Sequence, residues 1–504
     1  MQGPSWLAPT LLVAVALVVR IWALRFEPWV TVDGTEYIRF AEALRGGRAF
    51  VSIFPPGYPV LIGLAQALVD DRVLAAALVS VVAGALLVLP VWTLARAVAG
   101  PRWAIVAGGL VALHPSLIGF STLTMSESAF LLAVYAALAV GPLLSGGLAG
   151  AAFAIRPEGL LPALALGVRQ ALKPGRPRPR AIAVGWLVAG FLVVAVPTWT
   201  WFHATRGEWT LTPKISAFRV GGESWQEQEK HFGAAEPKAS YGLDRLTADL
   251  PGALARYPAN ALAHGRSLLR LWPLPLLALS LIGFVRRRGV ESLPLLQLAA
   301  IPLLGLSEQP RFVLVAIPSL AILATVALSR ARPGMHRYAL VGLALAGAIW
   351  CGVSLRSDLL LPFDGYEEAH REAGIWLAAA SASDDAVLDR KPYVAFYADR
   401  PYRVMPDAPY DSLIAFTRAR DIRYLVVDEG VARVFRPQLL PLLYDSAFRD
   451  NERRLECVYL GGHHRGYSIG IFRVLRPGES PSGRPPHANI RWSNSTLDSP
   501  QRGP

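Results

Sequence analysis

The sequence contains few charged residues and almost no cysteine. Asp, Glu, Lys and Arg make up 17% of its 504 residues, whereas soluble domains contain about 25%. The two cysteines, Cys351 and Cys457, form no spacing motif, which argues against a disulfide framework and a cysteine-based metal site. The sequence also lacks a P-loop and a dinucleotide-binding fingerprint, so no motif in it points to a nucleotide-dependent reaction.

Long apolar segments account for much of the chain. Hydrophobic residues make up 53% of it, and runs of about 15 to 22 residues recur with almost no charge, which is the length that crosses a bilayer core. Backbone groups at that depth must be satisfied internally, so these segments are expected to be helices. The predicted spans are 7–24, 73–95, 103–120, 127–143, 181–202, 268–285, 293–306, 310–328 and 338–355. The predicted fold class is therefore a mainly α, polytopic membrane helix bundle.

Positive charges between the spans predict the orientation. They cluster at Arg96/Arg102, 173–180, 286–288 and 330–337. Short positive loops stay in the cytoplasm, so residues 145–172 must form a re-entrant or paired element, giving about 11 passes and an N-terminus inside. Arg20 and Arg25 oppose this orientation and are outnumbered by the four later clusters. The net charge of +13 then reflects topology, and no nucleic-acid-binding motif accompanies it.

Three segments are expected outside the bilayer. External loops near 26–72 and 204–266 belong to the predicted membrane domain, residues 1–355. Residues 356–475 alternate helical runs with β-rich ones such as IRYLVVD and YVAFYA, which predicts an extracytoplasmic α/β or α+β domain. The tail, residues 476–504, is rich in Pro, Ser and Gly and is predicted to be disordered.

Two acidic residues follow the first span closely. Asp33 and Glu36 are three residues apart, so they share a face if the segment is helical, and each can alter the protonation of the other. A carboxylate at the membrane edge can act as a general base toward a hydroxyl or amine where water is restricted. The alternative is that Asp33 caps the helix that follows, which is the simpler account on residue types alone.

Two further motifs lie before residue 130. The run FPPGYP, which contains Tyr58, predicts a rigid turn at the entry to the next apolar segment. His114-Pro115 is followed by Ser126-Glu127-Ser128 at the start of a predicted span. Glu127 can line a cavity there, or it can occupy the first helical turn behind a Ser126 cap.

Two arginines complete the set of candidates. Arg156 and Glu158 interrupt an apolar stretch, at a cost of several kcal/mol unless they are paired or face water. They can therefore neutralise each other and brace the fold, or line a cavity. Arg311 can hold a phosphate by paired hydrogen bonds, or it can extend toward lipid headgroups.

In their order along the chain, these motifs resemble those of the GT-C-fold glycosyltransferases that use polyprenyl-phosphate-linked sugars. That group includes protein O-mannosyltransferases and aminoarabinose transferases acting on lipid A. The resemblance covers residues 7–330. It rests on DGTEY, PPGYP, HP followed by SES, RPEG, and RF-x-x-x-x-x-P from Arg311 to Pro318.

The resemblance implies sugar transfer from a polyprenyl-phosphate carrier to an extracytoplasmic protein, lipid or glycan. Asp33 would deprotonate the acceptor, and a single displacement would invert the anomeric centre. Glu36 is the second catalytic candidate, although Gly34 stands where some relatives carry an acidic residue. Arg311 would hold the lipid phosphate, with Lys214 or Arg219 as further candidates. The other candidate substrate-binding residues are Tyr37, Tyr58, His114, Glu127, Arg156 and Glu158.

The expected partners are the lipid-linked sugar donor, its acceptor and membrane lipids, without nucleic acid. A divalent metal is left open, because no ligand cluster has the characteristic spacing. High Ala, Arg, Gly and Pro usage points to a bacterial plasma membrane. The alternatives are a transporter or flippase, which the charged, Pro- and Gly-interrupted helix would suit, and a non-catalytic scaffold. No inverted repeat is found, and transport does not account for a large external domain.

Overall fold

A computed structural model of the protein describes residues 6–24, 30–207, 209–213, 250–304, 310–331, 334, 342, 366–462 and 468–490. These residues form two compact units, which separate between residues 342 and 366. Lys214, Arg219, Cys351 and the predicted span 338–355 lie outside the described residues.

The first unit is helical, and its helices follow the apolar runs of the sequence. They are α1 Leu7–Leu24, α2 Val32–Arg45, α3 Gly57–Ala65, α4 Arg72–Leu86, α5 Val88–Ala99, α6 Pro101–Ala112, α7 Pro115–Thr122, α8 Glu127–Ala139, α9 Pro142–Ile155, α10 Leu160–Ala171, α11 Pro177–Arg206, α12 Leu250–Leu271, α13 Leu274–Arg286, α14 Leu295–Ala300 and α15 Ile317–Ser329. The predicted membrane helix bundle is thereby confirmed.

Several of these helices are long and apolar enough to cross a membrane. Within the described residues, four segments meet that criterion, and two bent helix pairs raise the number to six if each pair is one span. The four segments are Leu7–Leu24, Arg72–Ala99, Pro177–Arg206 and Pro310–Ser329. Shorter apolar helices occupy Glu127–Ala139 and Val290–Leu303, where further spans were predicted, and Pro142–Ile155, in the region of the predicted re-entrant or paired element.

The predicted break between residues 145 and 172 is present. Helix α9 ends at Ile155, a 3-10 turn covers Pro157–Gly159, and α10 begins at Leu160. Proline restricts the residue before it to extended conformations, and Arg156 accordingly has φ −145° and ψ 134°. The RPEG motif therefore ends one helix and starts another inside the bundle.

Gly57 allows the first turn of α3 to lie against the end of α9. A Cβ atom at this position would lie 2.5 Å from the carbonyl oxygen of Ala154 and 2.9 Å from the amide nitrogen of Ile155. Since backbone atoms cannot move aside as a flexible side chain can, Gly57→Ala should push α3 and α9 apart. We expect a loss of about 1–3 kcal/mol in the free energy of unfolding, measured as a lower thermal midpoint in detergent.

Gly185→Ala is the matched control for this substitution. Gly185 lies on an exposed part of α11, and a Cβ atom there would have nothing within 4 Å. Its replacement should leave the midpoint unchanged or slightly raised, because Ala has the higher helix propensity. Equal midpoints for the two variants would contradict the close approach of α3 and α9.

The second unit is an α/β domain, one of the two predicted classes, and it is built on a six-stranded sheet. Its strands are β1 Ala386–Asp389, β2 Tyr402–Val404, β3 Ile422–Asp428, β4 Leu455–Gly462, β5 Ser468–Val474 and β6 His487–Ile490. The strand order is β2-β1-β3-β5-β4-β6. Strands β1, β2 and β3 are parallel, whereas β5 pairs antiparallel with both β3 and β4.

Helices cover both faces of this sheet. The helices of the unit are α16 Tyr366–Ala380, α17 Tyr393–Tyr397, α18 Tyr410–Ala419, α19 Glu429–Phe435, α20 Leu440–Tyr444 and α21 Ser446–Asn451. Ala373 and Leu377 of α16 pack with Val426 in one apolar cluster. Leu413 of α18 packs with Leu425 in the other cluster. Apolar side chains of these helices therefore cover both faces of the sheet.

Two expectations for this unit were wrong. YVAFYA is helix α17 rather than a β-rich run. Pro392 immediately precedes the helix, and the buried residues Val394, Ala395 and Phe396 are consecutive rather than alternating. The tail is not disordered from residue 476, because β6 pairs in parallel with β4. Composition could not reveal that pairing, which satisfies backbone groups along an otherwise open sheet edge.

Two carboxyl groups are buried at the ends of neighbouring strands in this unit. Asp389 ends β1 and Asp428 ends β3, and each is 2% exposed. Burial raises the pKa of Asp389 well above its usual range, and the charge of Asp428 raises it further. An acid whose pKa is higher when folded binds more protons in the folded state. The stability of the unit should therefore fall as the pH rises above about 4.

Asp389→Asn should remove this pH dependence. At pH 8, we expect the amides of β1 and β3 in the Asp389→Asn variant to exchange hydrogen about tenfold or more slowly than those of the wild type. The reason is that each unit by which the pKa of Asp389 is raised corresponds to about 1.4 kcal/mol of stability. At pH 4 the two proteins should differ little. The measurement uses the full chain with rates normalised to intrinsic exchange, and Asp384→Asn, at an exposed position, is the control. A wild type already better protected at pH 8 than the variant would contradict the assigned shift.

Candidate functional site

Asp33 lies in the first turn of α2, but it is not the cap of that helix. The cap is Thr31, whose side-chain oxygen accepts a hydrogen bond from the Gly34 amide at 2.9 Å. The Asp33 Oδ2 atom instead accepts a hydrogen bond from Nη1 of Arg311 at 2.9 Å. The interpretation of Asp33 as a cap is therefore wrong, because Thr31 performs that role and the Asp33 carboxylate pairs with a distant segment.

Arg311, the partner of Asp33, lies 278 residues further along the chain. It lies in the 3-10 turn Pro310–Phe312, directly before α15, and its guanidinium group lies 5.1 Å from the centre of the Phe312 ring. The side chains of Arg311 and Asp33 are 21% and 28% exposed. The Nε atom of Arg311 is buried and makes no hydrogen bond with any described residue. The pair is thus half-buried, and the cation retains an unused donor.

Arg156 is the centre of a second, fully buried charge cluster. Its Nη1 donates to Glu127 Oε1 at 2.6 Å, and its Nη2 donates to Glu158 Oε1 at 3.2 Å. Nη1 also lies 3.3 Å from the hydroxyl of Ser126. The Arg156–Glu158 pairing expected from the sequence is present, and Glu127 joins it from the start of α8. The cluster neutralises the charges that interrupt the apolar stretch.

Tyr37 and Tyr58 connect α2 and α3 to this cluster. The hydroxyl of Tyr37 lies 3.3 Å from that of Ser126, which in turn contacts Arg156. The Tyr37 ring packs edge-on against Tyr58 at 5.0 Å between centroids. Tyr58 is fully buried, and its hydroxyl lies 2.8 Å from that of Ser80. Tyr37 is therefore linked to the charge cluster through Ser126, whereas Tyr58 packs against Tyr37.

The two charged groups meet at one cleft. It is small and partly open. Its walls include Glu127, Phe130, Arg156, Gln297, Arg311 and Phe312. Since Arg311 also binds Asp33, four of the residues singled out in the sequence surround or adjoin this cleft. It combines two guanidinium groups, one buried carboxylate and an apolar wall.

Glu36 lies next to this arrangement on α2. The Ser52 hydroxyl donates a hydrogen bond to its carboxylate, and the Ser52 carbonyl accepts one from Arg206 at 2.6 Å. Burial raises the pKa of Glu36, the Ser52 hydrogen bond counteracts that effect, and the negative charge of Asp33 raises the pKa further. The charge of Asp33 thus acts on Glu36, which is one direction of the mutual effect predicted from their spacing.

His114 has a structural position. It is the N-cap of α7, is fully buried, and accepts a hydrogen bond from the Leu117 amide through Nδ1. Its Nε2 lies 3.0 Å from the carbonyl oxygen of Leu271, and its ring is stacked on Trp272. The histidine therefore joins α7 to the end of α12 and offers no surface to a substrate.

Gln297 is the residue of the cleft that sequence reasoning missed. It lies on α14 and is 4% exposed. The available signal was its position, because it is the one polar side chain in the predicted span 293–306. Polar residues inside such spans usually face an interior or a cavity. In the part of the chain that the structure describes, no group of three or more His, Cys, Asp or Glu side chains could hold a metal ion.

Solved structures of other proteins are similar to this chain in fold. No protein-family model and no curated protein sequence matches the chain. Apo ArnT from Cupriavidus metallidurans is similar with a TM-score of 0.58 and 16% identity, over 92% of this chain and 97% of ArnT. The same protein bound to undecaprenyl phosphate gives 0.55 and 15% over the same shares. The oligosaccharyltransferase AglB from Archaeoglobus fulgidus, in complex with an inhibitory peptide and a dolichol-phosphate, gives 0.54 and 14% over 91% and 74%.

The chain has the GT-C fold. The fold expected from the five motifs is therefore confirmed. Within this GT-C fold, DGTEY, SES, RPEG and the Pro310–Phe312 turn converge on the cleft, and PPGYP packs behind them through Tyr58. The HP motif is the exception, because His114 caps α7, contacts Leu271 and Trp272, and is not among the residues that line the cleft.

Proposed function

We propose that the protein is a membrane glycosyltransferase that moves a sugar from a polyprenyl-phosphate carrier to an acceptor outside the cytoplasm. The contact between Asp33 and Arg311, beside a cleft lined by Arg311 and Glu127, carries this proposal. Displacement from a lipid phosphate needs a base for the acceptor and a cation for the leaving phosphate. Asp33 would supply the base and Arg311 the cation, and the two residues come from opposite ends of the sequence of the membrane unit. ArnT and AglB bind undecaprenyl phosphate and dolichol-phosphate, which supports this donor class.

The reaction would be a single displacement at the anomeric carbon. Asp33 takes the proton from the acceptor hydroxyl or amine as that atom forms a bond to the sugar. The bond between the anomeric carbon and the phosphate oxygen breaks, and the phosphate leaves with the electron pair toward Arg311. One displacement inverts the anomeric configuration. Glu36, held by Ser52 and with a raised pKa, would set the electrostatic surroundings of Asp33 rather than take the proton itself.

The remaining assignments follow from this reaction. Arg156 would hold Glu127 and Glu158 in place and close the inner side of the cleft. Lys214 and Arg219 remain candidates for further phosphate contacts. The proposed location is a bacterial plasma membrane with the C-terminal unit on the extracytoplasmic side, where a protein, lipid or glycan acceptor is found.

The test uses the full chain in lipid nanodiscs. A panel of undecaprenyl-phosphate monosaccharides is supplied with cell-envelope extract as the acceptor, and release of free undecaprenyl phosphate is measured. We expect release from at least one donor, above that of empty nanodiscs and dependent on the extract. In sealed vesicles, a transporter or flippase would instead move a labelled donor between leaflets without releasing its carrier. Leaflet exchange without release from any donor would overturn the proposal.

A further inference from the structure

Two of the side chains that line the cleft each carry a buried acceptor atom without a hydrogen-bond partner among the described residues. These atoms are Oε2 of Glu127 and Oε1 of Gln297, in side chains that are 2% and 4% exposed. The Arg156 bond occupies the other oxygen of Glu127 and fixes the orientation of this carboxylate. The cleft therefore presents unused acceptors from two different helices, α8 and α14.

Buried polar groups of this kind are normally satisfied, because an unmet acceptor away from water destabilises the protein. Acceptor oxygens can be satisfied only by donors, which are water, hydroxyl groups or amino groups. The same cleft contains Arg311, whose buried Nε is an unused donor and requires an acceptor such as a phosphate oxygen. A single ligand that displaces water from all three atoms would carry an acceptor such as a phosphate next to hydroxyl or amino groups.

We propose that Glu127 and Gln297 form a sugar-binding subsite, accepting hydrogen bonds from hydroxyl or amino groups of the donor sugar while Arg311 binds its phosphate. This inference rests on the proposed function and assigns Gln297 as a specificity-determining residue. The side chains of Glu127 and Gln297 line the same small cleft, into which one sugar ring would extend. Phe130 supplies an apolar wall for the carbon face of that ring.

The test compares two ligands that differ only in the sugar. Binding of undecaprenyl-phosphate monosaccharides and of bare undecaprenyl phosphate is measured in nanodiscs without acceptor. Gln297→Met, which keeps the length of the side chain but removes its acceptor, should weaken binding of the sugar-bearing ligand about 10- to 100-fold. Binding of the bare carrier should change less than about twofold, because Arg311 is intact. Leu296→Met, an exposed neighbour on the same helix, is the matched control.

A second measurement does not depend on folding of the variant. Replacing the sugar hydroxyls by fluorine one at a time removes a donor while leaving the ring nearly unchanged. At one position of the sugar, fluorination should weaken binding to the wild-type protein about as much as the Gln297→Met substitution weakens binding of the unmodified ligand. The same fluorinated ligand should bind to the Gln297→Met variant no more weakly than the unmodified ligand does. Fluorination without effect at every position would overturn the subsite.

The outcomes separate the subsite from the reaction. Equal weakening of both ligands by Gln297→Met, or no weakening of either, would overturn the subsite even if the wild type releases carrier. Sugar-dependent binding that Gln297→Met abolishes, without release to any acceptor, would support the subsite and contradict the transferase. A wild type that binds both ligands with equal affinity would overturn the subsite as well.

Discussion

Asp33→Asn is expected to reduce the rate of carrier release by about 10²- to 10⁴-fold, the usual contribution of a positioned general base. Asparagine keeps the shape of aspartate and can still accept the hydrogen bond from Arg311, but it cannot take a proton at neutral pH. The Asp33–Arg311 pair is partly exposed, and such pairs contribute about 0–1 kcal/mol to stability. The variant should therefore fold normally, with nearly the wild-type thermal midpoint.

The control for this substitution is Asp70→Asn. Asp70 is exposed and lies at the other end of the same predicted loop, before α4. Initial rates of undecaprenyl phosphate release are compared at saturating donor and acceptor, with the affinity for the bare carrier measured in parallel. If Asp33→Asn and Asp70→Asn release carrier equally fast, Asp33 takes no part in the proton transfer.

Arg156→Met should cause the largest loss of stability. It removes the cation from a cluster in which Glu127 and Glu158 are 2% and 5% exposed. Removing one partner of a buried ion pair typically costs about 3–5 kcal/mol, because an uncompensated charge remains. We expect a strongly lowered thermal midpoint in detergent, and Arg102→Met, an exposed arginine at the start of α6, should leave it unchanged.

A triple variant tests the cause of that loss. Combining Arg156→Met with Glu127→Gln and Glu158→Gln removes all three charges, and it should recover most of the stability lost in the single variant. The recovered protein should remain inactive, because the cleft has lost its buried charges. A triple variant less stable than Arg156→Met alone would show that the packing of the guanidinium group, rather than its charge, stabilises this part of the bundle.

The sequence allowed the membrane part of the fold to be predicted well, because hydrophobic length and proline position act locally. The Arg156–Pro157 break is an example, since proline alone determines where α9 ends. Local patterns failed where two residues offered the same chemistry. Thr31 and Asp33 are both helix-capping types two positions apart, and only the structure distinguishes the cap from the residue that binds Arg311. The helical YVAFYA run is a similar case, because its apolar residues suit either state until their burial is known.

The site itself could be predicted only in part. The motif order predicted which residues belong together, but not which atoms touch, because Asp33 and Arg311 meet across 278 residues. Gln297 could not be assigned a role from the sequence, because no other polar residue marks its helix. Its importance follows from an unpaired oxygen, which is a property of the packed structure. His114 shows the converse, since a histidine in a recognisable motif proved to be a helix cap.

The separation of these partners also has a consequence for how the protein is made. At about 5–20 residues per second, the 29 residues between Glu127 and Arg156 take roughly 1.5 to 6 s to synthesise. The 278 residues between Asp33 and Arg311 take roughly 14 to 56 s. The buried charges, which are costly to leave alone in lipid, thus acquire their partner almost at once. The partly exposed Asp33 remains without its partner far longer, so the site is complete only when synthesis has nearly reached the end of the membrane unit.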